Sequence, residues 1–151
     1  MHSRIFIMSQ VHEVDFNDIP TEDELLDMLP NGVDYVSKET ALDEDIEWLC
    51  KFYNLKKVEK INKNVYKIDK QELIESLKNE KKRRVKIVKG LLENKQEEDV
   101  DLWLVSYEAY NRKGFFFYFL NEVINEIDLL KALKNLKIDS LYVVASFDYH
   151  F

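Results

Sequence analysis

The segment that decides the fold is Leu141-Tyr142-Val143-Val144-Ala145-Ser146-Phe147-Asp148-Tyr149-His150-Phe151. Every second residue from Leu141 to Phe151 is apolar or aromatic, and Tyr142 and Val144 fall on the opposite face. A period of two residues predicts a β-strand. Apolar side chains on both faces are typical of a strand that is covered on both sides, so we expect this strand to lie centrally in a sheet.

The first half of the sequence predicts two further strands, two helices and a hairpin. Turn residues, capping residues and the spacing of apolar side chains delimit these elements. In chain order they are a strand at Arg4–Val14, a helix that begins at the capping box Thr21–Glu24 and ends at Pro30-Asn31-Gly32, a strand at Val33–Ser37, a helix at Leu42–Asn54, and a hairpin of Lys57–Ile61 with Val65–Ile68.

A long helix is predicted next, from a capping box formed by Asp69 and Glu72 to about Asn94. Its apolar line is made by Ile74, Leu77, Val85, Val88 and Leu92. The line is interrupted at Lys81, within the basic run Lys81-Lys82-Arg83-Arg84. Two outcomes follow from this pattern: the helix breaks near the run, or its middle projects past the core into solvent.

A second predicted hairpin joins Asp101–Tyr110 to Phe115–Leu120 through Asn111-Arg112-Lys113-Gly114. Asn121 is then expected to cap a helix that ends near Leu136. The complete order is β-α-β-α-(ββ)-α-β-β-α-β. It predicts one α+β domain over residues 1–151, with about four helices and a mixed or mainly antiparallel sheet.

Charge is distributed unevenly along the chain. Glu13–Cys50 contains 13 acidic residues and one basic residue, whereas Lys51–Lys95 contains 15 basic and 6 acidic residues. The net charge of the whole chain is −7, which disfavours binding of free nucleic acid. Separation of charge of this kind favours encounters with oppositely charged partners and says little about fold.

Several classes of protein are disfavoured by what the sequence lacks. No apolar run approaches the roughly 20 residues of a membrane-spanning helix, and Met1–Met8 is too short and polar for a signal peptide. The single cysteine, Cys50, excludes an internal disulfide and fits a reducing cytoplasm. It lies on the apolar face of a predicted acidic helix, so we expect an unreactive thiol with a raised pKa. No nucleotide-binding, hydrolase or zinc motif is present, and we expect no cofactor and no metal.

Catalytic candidates are few. If the first and last strands pair, His12 and His150 could approach one another, with Glu13 or Asp148 nearby, as an acid–base or metal site. Tyr107 and Glu108 could form the polar end of an apolar pocket beside the aromatic hairpin. Each of these residues also has an ordinary structural interpretation, as a strand end or as sheet core.

The charged residues suggest interaction surfaces. The acidic candidates lie on the second predicted helix and the basic candidates on the long helix: Asp43, Glu44, Asp45 and Glu47, and Lys78, Lys81, Lys82, Arg83, Arg84, Lys86 and Lys89. The favoured hypothesis is a cytoplasmic, non-catalytic protein-binding module of the inhibitor or adaptor type. The alternatives are a small enzyme or ligand-binding domain at the aromatic hairpin and last strand, and a salt-sensitive homo-oligomer that joins acidic and basic helices.

Overall fold

A computed structural model describes residues 2–38, 40–109 and 114–150. These residues form an α+β structure with five α-helices and a mixed, mostly antiparallel sheet of seven strands. The strands are β1 His2–Ser9, β2 Tyr35–Ser37, β3 Val58–Asn62, β4 Val65–Asp69, β5 Phe116–Phe119, β6 Glu122–Ile124 and β7 Ser140–His150. The helices are α1 Glu22–Met28, α2 Leu42–Tyr53, α3 Lys70–Leu92, α4 Leu102–Ala109 and α5 Glu126–Lys134.

Strand β7 occupies the centre of the sheet, as its sequence predicts. The sheet order is β3-β4-β7-β1-β5-β6, and β2 also pairs with β7. Strand β1 runs antiparallel to β7 over nearly its whole length, and β4 and β2 pair with separate parts of β7. The single parallel pair among the described strands is β1 with β5.

A bulge in β7 changes the faces that its side chains occupy. Ile7 pairs with Ala145, but Met8 pairs with Val143, so one residue of β7 is left over. Leu141 and Val143 therefore belong to one core cluster, and Phe147 and Tyr149 belong to the other. The prediction that these four residues share a face is wrong, because a bulge interrupts the period of two.

Two core clusters cover the two faces of the sheet. Helices α2, α3 and α5 pack on one face, where the buried side chains include Phe6, Leu49, Leu77 and Leu133. Helix α1 packs on the other face through Leu25. Among the described residues, no helix is both long and apolar enough to cross a membrane.

The predicted N-cap residues of α1 and α3 both cap their helices, but the reciprocal bond of the capping box is present only at α1. At α1, Thr21 and Glu24 form the reciprocal capping box. At α3, Asp69 accepts from the backbone N–H of Glu72 at 2.8 Å. The carboxylate of Glu72 instead accepts from the backbone N–H groups of Lys56 and Lys57, at 2.5 and 2.7 Å, and so ties α3 to the chain before β3.

The predicted aromatic hairpin is wrong in its first strand. Residues 102–109 form helix α4, which raises the helix count from about four to five. The strand Phe116–Phe119 instead pairs with Glu122–Ile124 across a turn in which Leu120 and Asn121 have φ of 53° and 65°. The predicted turn residues 111–113 lie outside the described residues. A short continuous apolar run is compatible with both a strand and a helix. The sequence pattern therefore predicted a strand where the structure has a helix.

Asn121 therefore lies in the hairpin turn and does not cap a helix. The cap of α5 is Asn125, whose side chain accepts from the backbone N–H of Asp128 at 3.0 Å. Both residues are asparagines that precede an acidic residue, and only the turn between β5 and β6 distinguishes them.

Helix α3 is continuous from Lys70 to Leu92, so the basic run does not break it. Its buried residues are Leu73, Ile74, Leu77 and Arg84, whereas Val85 and Leu92 are 43% and 46% exposed. Beyond Leu77 the helix packs against α4 and α5. In the second half of the helix the inward-facing position is therefore occupied by a buried arginine, Arg84, and not by an apolar side chain.

Candidate functional site between helices α3, α4 and α5

Arg84 lies at the centre of a buried polar cluster. Its Nη2 donates to Oε1 of Glu126 on α5 at 2.7 Å, and its Nε donates to Oε1 of Glu80 one turn earlier at 3.2 Å. The side chains of Arg84 and Glu126 are 9% and 6% exposed. Arg83, on the outer side of α3, also binds Glu80, at 2.6 and 2.9 Å. The cluster links α3 to α5 by a charge-assisted bond in a desolvated setting.

Burial and pairing act in opposite directions on the two carboxyl groups. Burial raises the pKa of Glu126, although Arg84 acts to lower it. Burial also acts to raise the pKa of Glu80, but the bonds from Arg83 and Arg84 outweigh it and lower that pKa. Burial, followed by the charge of Glu126, raises the pKa of the Tyr53 phenol well above its ordinary value. Tyr53 therefore contributes a neutral hydroxyl beside the ion pair.

A groove runs along α3 and α5 above this cluster. It contains two adjoining concavities of about 440 and 660 Å³ that share Lys81, Val85, Lys89 and Leu130. The floor is apolar and consists of Val85, Val88, Ile127 and Leu130. The rim carries six lysines and one acidic residue: Lys78, Lys81, Lys82, Lys86, Lys89, Lys134 and Glu93. We call this feature the α3–α5 groove.

A second cavity, of about 690 Å³, lies on the other side of Arg84 and Glu126. The segment between α1 and β2, strand β6 and the start of α5 line it, together with Gly114, Phe116 and Tyr149. The hydroxyl of Tyr149 donates to the carbonyl oxygen of Gly114 in a short bond. The last strand and the aromatic segment therefore do border a concave space, as the ligand-binding hypothesis requires.

The basic candidates divide into two groups. Lys81, Lys82, Lys86 and Lys89 are exposed on the groove rim. Lys78 also borders the groove and lies 3.5 Å from Glu75. Arg83 and Arg84 are held by carboxylates within the protein, as described above. The lysines of the run are available to a partner, whereas its two arginines serve the fold.

The acidic candidates on α2 also divide. Asp45 is 3% exposed, accepts from Arg4 Nε at 2.7 Å and accepts from the Ser146 hydroxyl at 2.7 Å. Asp43 is bound by Lys60 at 2.9 Å and by the Tyr66 hydroxyl in a short bond. Both bonds lower the pKa of Asp43, the one from Tyr66 more strongly.

Glu44 and Glu47 are exposed on α2. Half of the predicted acidic surface is thus engaged in bonds within the protein. The remaining half faces solvent.

Strands β1 and β7 do pair, but the antiparallel register brings a different histidine to His150. His150 lies opposite His2, with the ring centroids 4.9 Å apart. His12 lies beyond the other end of β1, where its ring is 5.7 Å from that of Tyr142. Asp148 lies with His2 and His150, as expected for a residue two positions from His150 on the same face.

Tyr107 and Glu108 lie on helix α4 and not on the strand that the sequence predicts for this segment. The ring of Tyr107 stacks on that of Trp103 at 5.3 Å and 9°. Glu108 is 8% exposed, and its charge contributes to the raised pKa of Arg83, after the stronger bond from Glu80. Glu108 therefore belongs electrostatically to the Arg84 cluster.

Burial raises the pKa of the Cys50 thiol, in agreement with the sequence-based expectation. The residues that the sequence did not single out are Arg84 as a buried group, its partner Glu126, and His2. No spacing rule marks Glu126, because its partner lies 42 positions away on another helix. His2 could have been found by pairing β1 and β7 antiparallel, which places the start of one strand beside the end of the other.

Comparisons with known proteins add no identification: no family model matches the sequence, and searches of curated proteins and of solved structures give no significant match.

Proposed function

We propose that this protein is a non-catalytic protein-binding module that holds an acidic amphipathic segment of a partner protein in the α3–α5 groove. The observation that carries the proposal is the combination of an apolar floor with a lysine rim in one concave surface. Exposed apolar side chains bordered by charge are characteristic of interaction sites. Within the described part of the chain, no ion pair joins Lys81, Lys82, Lys86, Lys89 or Lys134 to a carboxylate.

The chemistry of the groove favours protein over nucleic acid. Among the residues that the structure describes, the lining of the groove includes no aromatic side chain on which a base could stack. The net charge of −7 also opposes the approach of a polyanion as long as RNA or DNA. A short acidic helix needs only the local positive field, and its apolar face can contact Val85 and Leu130.

Charge complementarity would act mainly on encounter and specificity. Lysines on a rim steer an acidic partner and increase its association rate, and this effect weakens as salt rises. The apolar floor would supply the contact area that holds the bound partner. The inhibitor or adaptor interpretation of the sequence is therefore kept, with the basic surface in place of the acidic one as the main contact.

A designed peptide pair tests this function. The probe is a labelled helical peptide with Leu on one face and Glu on the other, and its comparison peptide has the same composition in scrambled order. We expect the amphipathic peptide to bind with higher affinity in fluorescence anisotropy, and its affinity to fall with added salt. The double variant Lys86→Glu/Lys89→Glu should weaken binding by at least tenfold.

The double variant Lys57→Glu/Lys63→Glu, at exposed positions before β3 and in the turn between β3 and β4, is the control matched in its change of charge. Equal loss in this control would show that net charge alone drives binding and would overturn the proposal. So would equal affinity for the scrambled peptide. Light scattering of the protein alone at low and high salt identifies the case in which a second copy fills the groove with its own acidic α2.

The cavity beside Gly114, Phe116 and Tyr149 supports a second candidate function, the binding of a small apolar ligand. Its volume of about 690 Å³ lies within the range of ligand pockets. The probe anilinonaphthalene sulfonate should fluoresce on binding, and Val123→Trp, which fills the cavity, should abolish that signal. Val11→Trp, at an exposed position, is the control. Unchanged fluorescence with Val123→Trp would eliminate this candidate.

A further inference from the structure

His2 and His150 lie side by side at one end of the sheet, apart from the residues of the α3–α5 groove. They are directly opposite one another in the antiparallel β1–β7 register. Their ring centroids are 4.9 Å apart and the rings are inclined by 55°. Both rings are accessible, since the side chains of His2 and His150 are 59% and 34% exposed.

Each imidazole is bound through its Nδ1 atom to a carboxylate. His2 Nδ1 lies 2.9 Å from Asp148 Oδ2, and His150 Nδ1 lies 2.8 and 3.0 Å from the two oxygens of Asp34. An ionised carboxylate can only accept, so Nδ1 carries the hydrogen in both rings. The neutral rings therefore keep their lone pairs on Nε2. The hydrogen bond from His150 is also the main cause of a lowered pKa at Asp34.

Neighbouring groups fix this arrangement. Asp148 also accepts from Arg4 Nη1 in a short bond, and Arg4 is bound to the buried Asp45. The ring of Tyr35 stacks on His150 at 5.7 Å and 12°, and its hydroxyl lies 3.3 Å from His2 Nδ1. The two imidazoles are therefore held in place before any ligand arrives, which lowers the ordering cost of binding.

We propose that His2 and His150 bind a divalent transition-metal ion of the Zn²⁺, Ni²⁺ or Cu²⁺ class through their Nε2 atoms. Imidazole nitrogen suits these ions, and histidines that ligate metals characteristically donate their other N–H to a carboxylate. Two Zn–N bonds of about 2.0–2.1 Å in tetrahedral geometry place the nitrogens about 3.3 Å apart, so the proposal requires the two Nε2 atoms to converge on one point from rings whose centroids are 4.9 Å apart.

This is an open, two-ligand site. Among the described residues, no group of three or more His, Cys, Asp or Glu side chains is arranged to hold a metal ion. Water completes the coordination, and Asp34 and Asp148 act as outer partners that orient the rings. Ca²⁺ and Mg²⁺ are not expected, because they prefer oxygen ligands.

A zinc titration followed by NMR tests the site. We expect ZnCl₂ to shift the imidazole resonances of His2 and His150 in a saturable manner, with His12 unaffected. His12 is the internal control because it is similarly exposed, at 54%, and lies 3.7 Å from Glu13. Calorimetry should show that His2→Gln and His150→Gln each abolish saturable binding, whereas His12→Gln leaves it unchanged.

Asp34→Asn separates a metal site from a merely structural pair of histidines. Loss of an outer carboxylate should weaken Zn²⁺ binding about tenfold or more. If His150→Gln proves unfolded by circular dichroism, the exposed His2→Gln variant decides alone. Zinc binding that persists in the glutamine variants, or an equal response at His12, would overturn the proposal.

Discussion

Arg84 on α3 and Glu126 on α5 form a 2.7 Å ion pair inside the protein, with side chains 9% and 6% exposed. The pair separates the α3–α5 groove from the second cavity, and both spaces include it in their walls. The geometry of the candidate binding surface therefore depends on a bond whose two members are almost wholly buried.

Removal of one member of this pair should destabilise the protein strongly. Glu126→Leu removes one of the carboxylates that bind the buried guanidinium of Arg84, and loss of one partner of a buried pair typically costs about 3–5 kcal/mol. The free energy of unfolding should fall by that amount in urea denaturation followed by circular dichroism.

The double variant Arg84→Met/Glu126→Leu is the informative control. Replacement of both charges by apolar side chains is often neutral or stabilising, so much of the stability should return. If the double variant is as unstable as the sum of the single variants, the pair contributes through packing and not through its buried charge.

Gly114→Ala should destabilise the protein through its contact with Tyr149. Gly114 has φ of +67°, and an added Cβ would lie 2.5 Å from the Tyr149 hydroxyl oxygen. A left-handed alanine costs about 1–2 kcal/mol, and crowding in a packed core adds about 1–3 kcal/mol. Thermal unfolding by differential scanning calorimetry measures the loss.

Two other glycines serve as controls. Gly32→Ala, with φ of +106° and nothing within 4 Å of the added Cβ, reports the backbone cost alone. Gly90→Ala, in open space within α3, should stabilise by about 0.5–1 kcal/mol. If Gly114→Ala loses no more stability than Gly32→Ala, the close approach of Tyr149 has no energetic consequence.

Two aspartates on α2 should differ in their contribution to stability. Asp45→Ala removes a buried carboxylate that binds Arg4 and Ser146, and we expect a cost of about 2–4 kcal/mol, below that of a fully buried pair because Arg4 is 22% exposed. Asp43→Ala removes bonds at the protein surface, from Lys60 and from the Tyr66 hydroxyl, and should cost much less than Asp45→Ala. Equal losses in urea unfolding would contradict this division of the acidic helix.

Much of the fold followed from local patterns in the sequence. The capping box at Thr21, the hairpin before α3 and the central position of β7 were predicted because each depends on a few adjacent residues. The segment Leu102–Ala109 was not, because a continuous apolar run fits either period. The bulge between Ile7 and Met8 was also missed, since only the pairing of β1 with β7 reveals it.

The candidate site was only partly predictable. The run from Lys81 to Arg84 drew attention to the correct part of α3, but nothing local indicates that Arg84 turns inward while Lys81 faces out. That choice is made by Glu126, which reaches Arg84 only after the chain has formed α4, β5 and β6. Long-range partners of this kind decide which residues of a charged run are structural.

Alkaline pH should weaken the protein through Tyr149. Burial raises the pKa of its phenol to about 12, against an ordinary value of 10.0. Between these values the unfolded chain releases a proton that the folded chain retains. The contribution of the buried Tyr149 phenol to the free energy of unfolding is therefore complete below pH 10 and decreases as the pH rises towards 12. Two pKa units correspond to at most about 2–3 kcal/mol.

The measurement is the free energy of unfolding in urea from about pH 9 to about pH 11.5, for the natural protein and for Tyr149→Phe. The variant has no proton to lose at this position, so its stability should fall less steeply over this range. Tyr53 is present in both proteins and cancels in the comparison. Parallel pH curves for the two proteins would contradict the prediction, because they would show that Tyr149 ionises equally readily in the folded and unfolded chains.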